Sequence, residues 1–308
     1  MTHPISPVNE EEIEGEIEKE HKIFFEIGKQ LNEIIVQTLS ENVVNSNKDI
    51  EKMIKSIVKD IKDTIEPYLT SLQNHAEEYD FWGWINPDRH LVYLTHLNAG
   101  LKIYTALTGD NAAQVRQKLS ELEKEVYDTL NAIYSTIVNE KKDRINIIQK
   151  IISKKAKARI KDALIDNNTT ICKLKVVSAN VQDETIKMLL NIAFENAKNL
   201  EKELINFRNE KIEITSVNDL MTFLKKIEKL LELSSVIVII GWTLEDVDED
   251  FAAETDLQSL ADFTDDRLLL LAEDLRGREI DNYEWFMRTC ADEELSKYYV
   301  NECKSLNS

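Results

Sequence analysis

Apolar residues recur along this chain at steps of three and four, the period with which a helix buries one face. Ile13 and Ile17 begin a series that continues through Phe24, Ile27, Leu31 and Ile34 and predicts a first helix fading near Leu39. Residues 40–48 cluster the turn formers serine and asparagine. Asn47 is placed to cap a second helix with Ile50, Ile54, Ile57, Ile61, Ile65 and Leu69 on one face. Pro67 is expected to kink or restart it. Asn86 followed by Pro87 reads as an N-cap with proline at the first helical position, opening a third helix that runs to about Leu107.

Thr108, Gly109 and Asp110 make a stop and a new cap, after which Val115, Leu119, Leu122, Val126, Ile133 and Ile137 return at helical spacing. Continued through Lys141 and Lys142 to Leu164, this helix would hold about 55 residues and span about 80 Å at 1.5 Å per residue. A bend is expected near residues 139–144. Residues 166–180 are then read as the join to an antiparallel partner, with room for a short strand in their β-branched half. Beyond Ile186, Leu190, Ala193, Ala197, Leu200, Leu204 and Phe207 alternate three- and four-residue steps, a heptad seam that predicts a helical hairpin or intramolecular coiled coil over about 110–210.

Residues 211–215 and 235–240 are two more strand candidates, separated by a helix capped near Ser216 or Asn218. After Gly241 and Trp242 the pattern changes to acidic amphipathic segments bounded near Thr264 and Gly277. The expected fold class is therefore mainly α, an elongated helical bundle with a long coiled-coil-like hairpin and room for one minimal β element. Its expected organisation is an acidic segment over residues 1–20 leading into the first helix, a bundle over 21–241 and a small acidic helical subdomain over 242–308.

Composition narrows the chemistry. The chain has only seven glycines and four prolines, and residues 110–240 contain neither, so an all-β reading would lack its turn residues. Glycine scarcity also removes the phosphate-cradling loops G-x-G-x-x-G and G-x-x-x-x-G-K and the nucleophile elbow G-x-S-x-G. No catalytic motif remains, and the chain is read as a non-enzyme.

The net charge of −19 is concentrated in two segments. Residues 242–308 hold 19 Asp and Glu against 6 Lys and Arg, and residues 9–20 carry another −6. Cys172, Cys290 and Cys303 are odd in number and lack C-x-x-C spacing, which argues against a disulfide framework or structural zinc and fits a reducing cytosol. Residues 1–12 carry no secretory pattern, and the apolar run Val236–Ile240 is too short to span a bilayer. A cytoplasmic location is expected.

Two constellations resemble metal sites and fall short. His75, His90 and His96 lie near Glu78, Asp80 and Asp88, but a carboxylate-bridged di-iron bundle needs two Glu-x-x-His pairs and only Glu18–His21 has that spacing. Asp246, Asp248 and Asp250 begin like a calcium loop, yet Phe251 stands where glycine is required and Leu257 where glutamate is. Polar surface histidines and a solvated acidic helix start account for both, and no cofactor or metal is expected.

Partner-binding candidates are better supported. Residues 141–161 hold nine Lys and Arg against one Asp above an apolar series of Ile145, Ile148, Ile152, Ala156 and Ile160, a basic amphipathic helix. Lys154, Lys155, Lys157 and Arg159 are its densest part. The plain reading is a solvated face, and an anionic membrane or nucleic acid is the alternative to a protein partner there. Attraction between this helix and the acidic segment 242–308 is a further expectation. Trp82 and Trp84, among Tyr79, Phe81, Tyr93 and Tyr104, form either an interface or core.

The function expected is a non-enzymatic helical interaction or scaffolding protein with a protein partner. The alternatives are a membrane-active, pore-forming-like protein soluble before insertion, a nucleic-acid-linked or DNA-mimicking regulator, and a metal enzyme using His75, Glu78, His90 and His96.

Overall fold

A computed structural model of the chain describes residues 48–74, 87–140 and 144–273, together with helical residues between positions 29 and 41. Eight helices follow in order: α1 Lys48–Asn74, α2 Pro87–Thr108, α3 Ala113–Glu140, α4 Arg144–Asn180, α5 Glu184–Asn209, α6 Val217–Val247, α7 Glu249–Thr255 and α8 Leu257–Glu273. The fold is a mainly α bundle, as the periodicity predicts, and there is no strand among the described residues.

Local chemistry sets most of the helix ends. Pro87 opens α2. Gly109 closes it with φ +74°, its N–H bonded to Thr105 O at 2.9 Å, a left-handed stop that glycine adopts without a Cβ penalty. Asp110 Oδ1 then accepts from Ala112 N at 3.0 Å and turns the chain into α3. Asp183 caps α5 by accepting from the amides of Thr185 and Ile186. Ser216 and Asp219 form a capping box at the start of α6.

The bundle is organised around α6, which packs against α1, α2, α3, α5, α7 and α8. Its first half is amphipathic, with Lys225, Lys226 and Lys229 exposed. From Leu230 to Leu244 nearly every position is buried, including the run Val236–Ile240. A helix that is apolar all round is stable in water only when neighbours enclose it, and each fully buried Val or Ile then contributes about 1.5–3 kcal/mol. The heptad seam of α5 lies inside this same core, with Leu190, Ala193, Ala197, Leu200 and Leu204 all inaccessible between α4 and α6.

Several expectations are corrected. The run 235–240 is helical, because enclosure on all sides suits β-branched residues in a helix as well as in a strand. Residues 211–215 are neither helix nor strand, and Gln149 of α4 takes two of their backbone bonds: its amide accepts from Ile214 N and donates to Ile212 O. Residues 166–180 belong to α4, and the join to α5 is at 181–183. The stretch expected to bend near 139–144 divides into α3 and α4. Helix α1 continues through Pro67 without restarting, and Thr264 is interior to α8.

The boundary expected at 241/242 falls within α6. Gly241 is a packing position there, since a Cβ on it would meet Gln258 Cα of α8 at 2.9 Å. Leu257, Ala261, Leu268 and Leu271 of α8 share one hydrophobic core with α2, α4 and α6. Cys172 is disulfide-bonded, which removes the cysteine argument for a reducing compartment. Cys290 and Cys303 lie outside the described residues, as do Trp82, Trp84, His75, Glu78 and Gly277.

Candidate partner-binding surface on helix α4

Helix α4 buries Ile145, Ile148, Ile152, Ala156, Ile160 and Ala163 on the side facing its neighbours. At 100° per residue this stripe directs a second set of residues to the opposite side. Lys150, Lys157, Lys161 and Lys175 fall within about 40° of one another around the axis and about 38 Å along it, by the geometry of the helix. All four are exposed. Lys154 stands on the same face by register, with its side chain outside the described part. Lys155 and Arg159 are half-buried beside the stripe.

Some exposed lysines on other helices find carboxylates. Lys226 pairs with Glu210, Lys229 with Glu203 at 2.9 Å, Lys187 with Glu184 at 3.3 Å and Lys55 with Glu51 at 2.6 Å. Lys150, Lys157, Lys161 and Lys175 take part in no ion pair among the described residues. Ile165, 40% exposed, lies along the same side of α4 and supplies an apolar contact next to the charges.

The acidic part of the chain does not cover this stripe among the described residues. Helix α8 docks on α4 through buried groups: Arg267 Nε donates to Asp166 Oδ2 at 3.3 Å, and Thr170 Oγ1 donates to Leu260 O at 3.4 Å. Those contacts lie beyond Lys161 toward the C-terminal half of α4. Among the described residues, the exposed carboxylates of the acidic segment are gathered instead at Glu245, Asp246, Asp248, Glu249 and Asp250. Asp248 caps α7 by accepting from Phe251 N at 3.0 Å, and Asp246 accepts from Ser56 Oγ at 2.6 Å and lies 3.7 Å from Lys59 Nζ. Asp248 thus works as a helix cap and Asp246 as a tie between α6 and α1.

His96, counted among the candidate ligands, is buried and stacked on the Trp242 indole with ring centroids 5.8 Å apart. No group of three or more His, Cys, Asp or Glu able to hold a metal occurs among the described residues. No helix among them is long and apolar enough to cross a membrane.

The interior is more polar than the sequence pattern suggests. Tyr127 of α3 donates to Glu228 Oε2 of α6 at 2.5 Å, and Asn167 of α4 donates to Ala197 O of α5 at 2.9 Å. Burial raises the Glu228 carboxyl to about 7, against the opposing effect of the Tyr127 hydrogen bond. Burial, reinforced by the Glu228 charge, pushes the Tyr127 hydroxyl well above its ordinary range. No protein-family model, curated protein or solved structure matches the chain.

Proposed function

We propose that this chain is a non-enzymatic interaction protein that uses the exposed face of α4 to bind an acidic surface on a protein partner. One observation carries the reading: Lys150, Lys157, Lys161 and Lys175 stand exposed on one face of a single helix and take no part in ion pairs among the described residues. Like charges at i and i+4 on a helix destabilise it by about 0.2–0.5 kcal/mol per pair, so the spacings Lys150–Lys154 and Lys157–Lys161 are a cost that a partner's carboxylates would offset. The apolar side chain of Ile165 beside the stripe suits a protein surface.

The test compares full-length protein with the variant Lys150→Glu/Lys157→Glu/Lys161→Glu, each immobilised and exposed to native cell extract in low salt. A stoichiometric protein retained by the first and lost from the second is the expected result. Equal retention by both, or retention of lipid or nucleic acid with no protein, would overturn the reading.

A second reading, a membrane-active protein soluble before insertion, rests on the α6 run Val236–Trp242, which is apolar on every side. It would act at interfacial depth on rearrangement, with the α4 lysines facing anionic headgroups. Dye release from anionic vesicles is its test, and vesicles that stay sealed at saturating protein remove it.

A further inference from the structure

Three carboxylates occupy the interfaces between α6 and three different helices. Glu228 belongs to α6 and meets Tyr127 of α3. Asp265 of α8 is buried beside Ser234 of α6. Asp60 of α1, whose Oδ2 is buried, stands one turn after Ser56, which donates to Asp246 Oδ2 at the other end of α6 at 2.6 Å. Glu228 Oε1 and Asp265 Oδ1 have no hydrogen-bond partner among the described residues, an arrangement that a neutral carboxyl tolerates far better than an ionised one.

The surrounding charges reinforce this. Asp265 has Asp262 and Asp266 on its own helix, and the nearby Arg267 is committed to Asp166 of α4. Glu228 is faced by Glu123 of α3 and by Lys225 and Glu232 of α6, with Glu232 paired to Lys102 of α2 at 2.5 Å. Asp60 has Asp63 and Lys59 on α1, with Lys59 shared with Asp246. Carboxylates outnumber cations around all three groups.

We infer that Asp60, Glu228 and Asp265 form a proton-dependent latch on α6, in which the three neutral carboxyls let α1, α3 and α8 close on the central helix and their ionisation loosens it. Burial, first among the causes at each site, raises all three carboxyls to about 7. A carboxyl whose folded value lies above its unfolded value contributes stability that is complete below about pH 4 and is lost as pH rises through about 7. The direction is opposite to that of paired surface carboxylates, whose contribution is lost in acid.

The test is urea unfolding of the full-length chain at pH 5.5 and pH 8. Three proteins are compared: the unchanged chain, Asp60→Asn/Glu228→Gln/Asp265→Asn, and a control with the exposed substitutions Glu195→Gln/Glu249→Gln/Asp250→Asn. The unchanged chain and the control are expected to lose at least about tenfold in folding equilibrium constant between pH 5.5 and pH 8, the effect of one such group over a single pH unit. The amide variant is expected to keep its pH 5.5 value at pH 8. The latch is overturned by an amide variant with the pH dependence of the unchanged chain, or by an unchanged chain that weakens toward pH 5.5. Should the amide variant not fold, carboxyl-carbon NMR titration of the unchanged chain decides: midpoints near 7 support the latch and midpoints near 4 overturn it.

Discussion

Arg267 of α8 and Asp166 of α4 meet at 3.3 Å in the core, each side chain only 5% exposed, although 101 residues separate them in the chain. Removing one partner of a buried pair leaves the other charged and unsolvated, which costs about 3–5 kcal/mol. Arg267→Leu is therefore expected to destabilise the protein by about that amount, while Asp166→Leu with Arg267→Met recovers most of the loss. Urea midpoints of the single and double variants check this, and equal losses in both would show that shape rather than charge governs the site.

Gly241 of α6 packs against the backbone of α8. A methyl group there would meet Gln258 Cα at 2.9 Å and its amide nitrogen at 3.1 Å, both too rigid to move aside without parting the helices. Gly241→Ala is expected to destabilise by about 1–3 kcal/mol through overpacking, despite a gain of up to about 1 kcal/mol in helix propensity. Thermal unfolding reads the net sign, and a higher midpoint would refute the close packing.

Tyr127→Phe removes the donor to Glu228. Because the hydroxyl lowers the Glu228 carboxyl from where burial alone would hold it, the variant should raise that carboxyl further above about 7. A bond to a charged acceptor is worth about 1.5–3 kcal/mol against about 1 for a neutral one, so the loss should be greater at pH 8 than at pH 5.5. Urea unfolding at the two values distinguishes this from a simple cavity, which would cost the same at both.

Reversing the α4 stripe with Lys150→Glu/Lys157→Glu/Lys161→Glu is expected to leave the thermal midpoint within a few degrees, since surface substitutions usually change stability by about 0.5 kcal/mol or less. Binding to an acidic partner should be lost in the same protein. A collapse of stability would instead assign the stripe a structural role.

Non-reducing peptide mapping is expected to recover Cys172 joined to a second cysteine peptide. Recovery as a free thiol would restore the expectation of a reducing compartment.

The helices themselves were legible because local chemistry states them: proline at position 87, glycine at 109, a cap near Ser216 or Asn218, and the seam of Leu190 to Phe207. The basic face of α4 was legible too, though the weight placed on Lys155 and Arg159 misses Lys150, Lys161 and Lys175. Projecting the charges at 100° per residue would have found that stripe. Nothing local identified Asp265 as buried, since it lies between two other aspartates in a segment read only as acidic and amphipathic, and Glu228 sits among lysines on a helix whose first half is amphipathic. Their environment is made by α3, α6 and α8 together.

By itself the sequence determined that the chain is helical, where some of its helix ends stand and which faces are apolar, because these follow from period, propensity and side-chain hydrogen bonds within a few residues. Only the tertiary structure decided that the β-branched run 236–240 is helical, that α6 is the enclosed centre and that residues 257–273 share its core. Those outcomes depend on which surfaces cover one another. An apolar residue states that it must be buried, but the partner that buries it can lie a hundred residues away.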